Sequence, residues 1–254
     1  MRLPPPTATA ERPLRTTFDI SRRALATIAP ALLILGTTDR PAFAAPKQYL
    51  DPMGRFALEI PDGFAMSKRT ATTGTIFVAG NFPRAATISV NAWPLEALVT
   101  EDVASQALPG LEAPKAVQLP AAPKNLREID AALGGDGQAL FKVLLRKRDR
   151  EASSGALSSL PLGDAAAAED GHLTWSSTTN LPVADPEELF KQRGVRELVR
   201  RTTAASYLGS VPDGEAAGKA AVISICASCL QQDWNELGPA LEQAVASFTL
   251  GAPA

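Results

Sequence analysis

The chain has 254 residues, of which 45% are hydrophobic and 20% are charged, and its formal net charge is -2. This slightly acidic balance gives no bulk support for nucleic-acid binding. Two cysteines and one histidine restrict metal-ligand and nucleophile chemistry to very few candidates. The length indicates one domain together with processed or irregular segments.

Residues 1–44 have the composition of a targeting segment in two parts. About the first twenty residues carry arginines among Pro, Thr and Ala, which resembles an organellar transit segment. The sequence Ser21-Arg22-Arg23 then precedes an apolar stretch from Ala24 to Gly36, and Ala42-Phe43-Ala44 has a small-x-small cleavage pattern. A twin arginine before a short apolar core predicts a twin-arginine export signal. The stretch is too short, and too interrupted by Pro30, to favour the alternative of a membrane anchor.

Two addresses in series predict transport across an organelle envelope and then across an internal membrane. That combination is typical of proteins bound for the chloroplast thylakoid lumen. A bacterial exported protein with a long basic leader is the alternative. Under both interpretations residues 45–254 form the mature, acidic domain.

The first part of the mature domain predicts strands. Phe56–Ile60 alternates between apolar and other residues, which indicates a half-buried strand, and Pro61-Asp62-Gly63 favours a turn. Two more strands are predicted at Thr75–Ala79 and Thr87–Trp93. The last of these has an apolar face and an uncharged polar face, formed respectively by Ile88, Val90 and Ala92 and by Thr87, Ser89 and Asn91.

The middle of the chain predicts one helix and two strands. Thr100–Leu108 reads as a short helix that Thr100 caps. Leu126–Leu133 and Ala139–Arg146 are predicted as strands joined by a hairpin at Gly134–Gly137. A phosphate-binding role for these glycines is not supported, because we find no helical pattern behind them. The basic run from Arg146 to Arg150 is predicted to be a solvated strand end.

Residues 151–199 are predicted to be an insertion. Glu151–Gly171 is rich in Ser, Gly and Ala, which favours an inserted or mobile loop, and His172–Thr178 predicts a short strand. Asp185-Pro186 marks a helix start, and this helix is expected to end near Arg200-Arg201, where cations suit the helix dipole.

The carboxyl end predicts strands followed by the main helix. Thr202–Leu208 and the apolar run Ala220–Ile225 read as strands, the second of them buried. Asp233 is the predicted cap of the helix, with Glu236 as its capping-box partner, and Pro239 is expected to kink or restart it. An apolar stripe recurs along the helix at Trp234, Leu237, Leu241, Val245 and Phe248.

A strand that leads into an amphipathic helix needs a sheet face on which to bury this stripe. Several antiparallel strands with helices segregated onto the faces predict an α+β fold, arranged as an α-β-α sandwich with a mostly antiparallel central sheet.

The order of these residues resembles that of the PsbP-like family. Tyr49-Leu50-Asp51, Gly54-Arg55-Phe56 and the run from Ile60 to Phe64 resemble the opening of such proteins. Thr87-Ile88-Ser89-Val90 fits their central strand, and the run from Trp234 to Phe248 resembles a closing helix that ends in Ser-Phe. The resemblance covers most of residues 49–110 and 200–250, and residues 151–199 depart from it.

The resemblance implies an α-β-α sandwich and a non-enzymatic role at photosystem II. Family members help to retain calcium and chloride at the oxygen-evolving centre or assist photosystem assembly, associated peripherally with the thylakoid membrane. Calcium is thus implied, but no metal ligands are assigned, and no catalytic or cofactor-binding residue is predicted. The only basic residues that suggest docking are Lys47, Lys68, Arg69 and Arg84, so an accessory or assembly protein is expected rather than the extrinsic subunit itself.

Cys226-Ala-Ser-Cys229 is the one motif that suggests redox chemistry. It is predicted between a strand and a helix, where a thioredoxin-like pair would lie. Asp233 nearby brings negative charge, whereas a reactive thiol needs electropositive surroundings. Two buried thiols, or a local disulfide in an oxidising compartment, are the alternatives to a redox-active pair.

The remaining candidates are a histidine and the tryptophans. His172 follows Glu169 and Asp170, which could form a metal site or be solvated loop residues, and no nucleophile-elbow pattern is present. Trp93 and Trp234 are expected in the core, and Trp175, in a polar context, is expected at the surface.

Overall fold

The computed structural model describes residues 45–67, 74–106, 117–135, 137–151, 157–211 and 218–251. The predictions made for the targeting segment 1–44, and for Lys68 and Arg69, lie outside these described residues.

Strands and helices occur in blocks along the chain, with five strands followed by three helices in its first half. In chain order they are β1 (Lys47–Leu50), β2 (Phe56–Ile60), β3 (Ala65–Met66), β4 (Thr75–Asn81), β5 (Ala86–Pro94), α1 (Leu95–Gln106), α2 (Leu126–Leu133), α3 (Ala139–Glu151), β6 (Ser159–Pro161), β7 (Ala166–Ala167), β8 (Leu173–Leu181), α4 (Pro186–Arg193), β9 (Leu198–Ser210), β10 (Ala220–Leu230), α5 (Trp234–Ala246) and β11 (Thr249–Leu250). Short 3₁₀ turns lie at Phe82–Arg84 and Gln231–Asp233.

The strands form two sheets. The larger sheet has eight strands in the order β3-β4-β5-β10-β9-β8-β6, with β7 also paired to β8, and the smaller has the order β1-β2-β11. Within the described part of the chain every pairing is antiparallel. The predicted α+β class with a mostly antiparallel sheet is therefore confirmed.

Helices cover both faces of the larger sheet. On one face α5 packs over apolar side chains of β4, β5 and β10, with β2 at its side, and Leu241 and Ile225 are fully buried there. On the other face α1, α2 and α3 cover a second core that contains Trp93, Phe141 and Trp175. Three layers in the order α-β-α result, as the sequence predicts.

The predicted apolar stripe of α5 is the centre of the first core. All five of its residues, Trp234, Leu237, Leu241, Val245 and Phe248, are buried. The helix continues through Pro239 without the predicted restart. Asp233 lies at the N-cap position of α5 as predicted, but it has helical backbone angles and its side chain accepts no capping hydrogen bond, so the predicted capping interaction is absent.

The two strands predicted at 126–133 and 139–146 are wrong, because both segments are helices. Asn125 caps α2 by accepting a hydrogen bond from the backbone N–H of Glu128 at 3.0 Å, and Gly134 follows the last turn with a positive φ. The buried residues of α2, Leu126 and Ile129, have helical spacing. The glycines therefore join two helices, and the basic run forms the last turns of α3 instead of a strand end.

Two predicted helix boundaries are also wrong. The helix α1 begins at Leu95, so that Thr100 lies inside it and caps nothing. Asp185 does cap α4, since its carboxylate accepts from the backbone N–H groups of Glu187 and Glu188. That helix ends at Arg193, where Gly194 has a φ of 73°, and Arg200-Arg201 lie in β9 instead.

Residues 151–199 contain β6, β7, β8 and α4. The strand β8 pairs with β9 from Leu173 to Leu181 and so belongs to the larger sheet. Whether this segment is an insertion relative to the PsbP-like family stays a prediction. Trp175 in β8 was expected at the surface, but it is buried and its indole N–H donates to Ser206 Oγ at 2.9 Å.

Candidate functional site

The two thiols lie inside β10 and not between a strand and a helix. Side chains three residues apart on a strand point to opposite faces. Cys226 accordingly belongs to the core under α1–α3, and Cys229 belongs to the core under α5. Both are free and buried, so they cannot meet as a redox pair or as a local disulfide without a change of the sheet.

The protonation of these thiols argues the same way. Burial raises the pKa of the Cys226 thiol. Burial, and secondarily the charge of Asp233, raises the pKa of Cys229 to about 11. A thiolate is the reactive form of cysteine, and this environment disfavours it at both positions.

His172 lies in a cleft of about 460 Å³ between the β8–β9 surface and the carboxyl end of α5. Thr174, Ser176, Thr203, Tyr207 and Glu242 contribute to its lining. The histidine ring stacks on Tyr207, with centroids 5.0 Å apart and planes 25° from parallel, and its Nδ1 contacts the Asp170 carboxylate.

This cleft has a mixed, mainly apolar lining, and the described residues place no nucleophile in hydrogen-bond contact with the histidine. Within the described residues His172 has the Asp170 carboxylate as its side-chain hydrogen-bond partner and has no hydroxyl or thiol in that role. The backbone hydrogen bond from His172 is the main cause that lowers the pKa of Asp170. Burial, followed by the charge of Asp170, raises the pKa of Tyr207.

The carboxylates near His172 do not form a metal centre. Glu169 is exposed and does not join Asp170 and His172, and no group of three or more His, Cys, Asp or Glu side chains in the described ranges could hold a metal ion. Calcium takes about six to eight oxygen ligands. The described residues therefore do not fit the calcium ion that the family resemblance implies.

The described basic candidates differ in their surroundings. Lys47 is exposed in β1. Arg84 donates to both carboxylate oxygens of Glu236 at 2.6 Å and lies 3.5 Å from Asp233, which raises its pKa. Arg84 thus fastens the turn after β4 to the start of α5 and is not a free docking cation.

A row of hydroxyl side chains crosses four strands on the face that α1–α3 cover. Its members are direct cross-strand partners, Ser177 in β8, Thr202 in β9, Ser228 in β10 and Thr87 in β5. We call them the hydroxyl row. Thr87 Oγ1 and Ser228 Oγ are 3.0 Å apart, and Ser177 and Thr202 are fully buried.

Two arginines contact the hydroxyl row. Arg148, in the last turn of α3, donates to Thr202 Oγ1 at 3.4 Å and lies with its guanidinium carbon 5.6 Å from the Trp175 ring centroid. Arg200 donates to Ser228 Oγ at 3.1 Å and to the carbonyl oxygen of Ala85 at 2.9 Å. In the described part of the chain neither guanidinium forms an ion pair with a carboxylate.

Sequence reasoning finds one part of this arrangement and misses the rest. The uncharged polar face of Thr87–Trp93 is the signal it finds, and Thr87 is a member of the row. Ser177, Thr202 and Ser228 become its neighbours only through the strand order β5-β10-β9-β8. The sequence predicts a strand end at Arg148, and that prediction gives no reason to expect its contact with Thr202.

No helix in the described ranges is long and apolar enough to cross a bilayer.

The chain matches no protein-family model, and no curated protein sequence matches it. Sixteen solved chains are similar to it, and two of them are described next. The solution structure of cyanobacterial PsbP (CyanoP) from Synechocystis sp. PCC 6803 has a TM-score of 0.47 and 14% sequence identity, with 85% of this chain and 98% of that chain covered. A mutant of the protein Mog1 has a TM-score of 0.37 and 10% identity, with 82% of this chain and 97% of that chain covered. Both TM-scores are low, so neither similarity indicates what this chain does.

Proposed function

We propose that this protein is a non-catalytic accessory or assembly protein of photosystem II, of the PsbP type. It acts in the thylakoid lumen by contact with photosystem subunits or assembly intermediates and associates peripherally with the membrane. The two-part targeting segment and the order of the PsbP-like sequence runs support this proposal.

One observation carries it. The runs that resemble the family come from opposite ends of the mature chain, and they meet in one aromatic cluster. The ring of Phe56 lies 5.9 Å from that of Tyr49 and 5.7 Å from that of Phe248, between centroids. The backbone N–H of Gly251 donates to the carbonyl oxygen of Arg55 at 2.8 Å. The residues that resemble the family are therefore those that join the two ends of the domain.

The chemistry of the remaining candidates supports a role without catalysis. The thiols lie on opposite faces of the sheet, and His172 has no hydroxyl or thiol hydrogen-bond partner among the residues that the structure describes. By the same resemblance the protein supports oxygen evolution through retention of calcium and chloride. Because the described residues do not fit a calcium ion, we place any such effect in the contact with the photosystem and not in a calcium site of this chain.

Fractionation combined with affinity capture tests the proposal. We expect the protein to lose residues 1–44, to be protected inside thylakoids, and to capture photosystem II subunits or assembly intermediates from solubilised thylakoids. An unrelated tagged lumenal protein is the control for capture. An uncleaved protein in the stroma, or capture that does not exceed the control, overturns the proposal.

A double variant tests the non-catalytic part separately. Cys226→Ala with Cys229→Ala is expected to leave partner capture and oxygen evolution unchanged, because neither thiol reaches the surface. Loss of oxygen evolution in a variant that stays folded and is captured normally contradicts a purely structural role for these residues.

A further inference from the structure

We propose that Arg148, Arg200 and the hydroxyl row form a binding site for a small tetrahedral oxyanion of the phosphate or sulfate class. This site does not depend on the function proposed above.

The first argument is the charge of the two arginines. Elsewhere Arg55, Arg84 and Arg146 each form a short ion pair with a carboxylate. Arg148 and Arg200 are both partly buried, and the described residues place no carboxylate against either. Burial, and then the positive charge of Arg148, lower the pKa of Arg200. Two like charges held near each other in a partly dehydrated place are stabilised by a bound anion.

The neighbouring carboxylates do not supply that compensation, because other groups hold them. Asp149 accepts from the backbone N–H of Ser159 at 2.8 Å and contacts its hydroxyl at 2.6 Å. Glu151 accepts from the indole N–H of Trp93 at 3.0 Å and pairs with Lys147. Both acids of the last turn of α3 are therefore turned to other partners.

The second argument is the set of unused hydrogen-bond groups. Arg148 Nη1 and Ser177 Oγ are buried and have no hydrogen-bond partner in the described structure. A buried polar group without a partner costs free energy. Thr202 lies next to both of these residues. It is the cross-strand partner of Ser177, and its hydroxyl oxygen accepts a hydrogen bond from Arg148 Nη2. An oxyanion that reached both Arg148 Nη1 and Ser177 Oγ would supply the acceptor that each of them lacks.

The chemistry of the donors selects the class of anion. Guanidinium groups present several N–H donors in a planar fork, which matches oxyanions and not a spherical halide. The donors are Arg148 in α3, Ser177 in β8 and Arg200 in β9, and they come from different directions. A tetrahedral anion has four oxygens and can accept a hydrogen bond from each of these donors, whereas a carboxylate has only two oxygens. A phosphate monoester at neutral pH carries a charge of about -1.5 to -2, so an anion of this class can offset the charge of two arginines.

Binding of inorganic phosphate to the full chain tests the proposal, measured by equilibrium dialysis and by the midpoint of thermal unfolding at constant ionic strength. We expect saturable binding of phosphate and sulfate and a rise of the midpoint with each, whereas chloride has no such effect. Arg148→Gln and Arg200→Gln are each expected to weaken binding at least about tenfold. Arg196→Gln, which removes an exposed arginine elsewhere, is the matched control and should bind as the wild type does.

Ser177→Ala provides a test that does not remove a charge. It deletes a buried hydroxyl that has no partner, so it should raise the unfolding midpoint without phosphate and weaken phosphate binding. Circular dichroism shows whether each variant is folded. If Arg148→Gln unfolds, Arg148→Lys replaces it, because lysine keeps the positive charge but lacks the planar guanidinium group. The affinity of Arg148→Lys for phosphate should lie between that of the wild type and that of Arg200→Gln.

Several results overturn the proposal. The first is that the wild-type protein shows no saturable binding of phosphate. The second is that Arg200→Gln and the Arg148 variant bind phosphate as tightly as the wild type does. The third is that Ser177→Ala has a lower unfolding midpoint and an unchanged affinity for phosphate. Acetate that binds as tightly as phosphate and competes with it also overturns it, because the site would then select carboxylates.

Discussion

Asp102 of α1 and Arg146 of α3 form a two-bond ion pair across the helical layer. Arg146 Nε lies 2.7 Å from Asp102 Oδ1, and Nη2 lies 2.8 Å from Oδ2. The aspartate is only 3% exposed and also accepts from the side chain of Gln106 at 2.7 Å. This pair joins the first helix of the layer to the last.

Arg146→Met is expected to lower the free energy of unfolding by about 2–3 kcal/mol, because it leaves the buried Asp102 carboxylate with weaker compensation. Arg150, 3.5 Å from Asp102, keeps the loss from being larger. Urea unfolding measures the effect. The control is Arg196→Met, whose partner Glu187 is also exposed, and which should cost about 0–1 kcal/mol. Equal losses in the two variants would contradict the importance of the buried pair.

Phe248→Ala is expected to lower the free energy of unfolding by about 3–5 kcal/mol, since it opens a cavity in the aromatic cluster. Phe248 is buried and stacks on Phe56. Phe82→Ala, at a ring that is 61% exposed, removes the same side chain from the surface and should cost less than about 1 kcal/mol. Denaturant unfolding of both variants measures the difference, and a loss at Phe248 no greater than that at Phe82 rules this packing role out.

Gly238→Ala is expected to destabilise α5, although alanine favours helices. A Cβ at Gly238 would lie 2.8 Å from Cε2 and Nε1 of Trp234, whose ring is also covered by the Arg201 guanidinium at 4.2 Å. Overpacking of this kind costs about 1–3 kcal/mol, more than the gain in helix propensity of about 1 kcal/mol. Thermal unfolding measures the change. Asn235→Ala, on the exposed side of the same helix, should change stability by less than about 0.5 kcal/mol, and a Gly238→Ala protein more stable than wild type would refute the prediction.

The raised pKa of Cys229 predicts a loss of stability at high pH. Its pKa rises from 9.0 to about 11 on folding, so the folded protein favours the neutral thiol. The contribution is complete below about pH 9 and is lost as the pH rises toward 11, by about 2 kcal/mol. Urea unfolding across this window should show a steeper fall in the wild type than in Cys229→Ala.

Tyr49 and Tyr207, whose pKa values are also raised, titrate in both proteins, so the difference between the two curves isolates Cys229. Parallel curves would show that this thiol does not titrate as expected.

The sequence predicts the parts of the fold that depend on local periodicity. The alternation at Phe56–Ile60 and at Thr87–Trp93, and the helical spacing from Trp234 to Phe248, each report a face that must be buried, and the structure confirms them. The three-layer arrangement follows from these faces, because a strand and a helix with apolar sides bury them against each other.

The wrong predictions fall where two local signals in the sequence compete. At Leu126–Leu133 the glycines that follow suggested a hairpin, yet Asn125 with Glu128 three residues later is a helix start, and the apolar spacing is helical. The hydroxyl row is not predicted from the sequence, for a different reason. Its members are far apart in the sequence, and only the register of four strands brings them together, which no local pattern encodes.

The pairing of β11 with β2 has a consequence for folding. The closing strand and α5 follow every strand of the larger sheet in the chain, yet they cover the apolar face of β5 and β10 and reach back to Phe56. A nascent chain that lacks residues 234–250 exposes that face to water, and the contacts that bury it join distant parts of the sequence. The sheet with this face uncovered is therefore the intermediate most prone to aggregate.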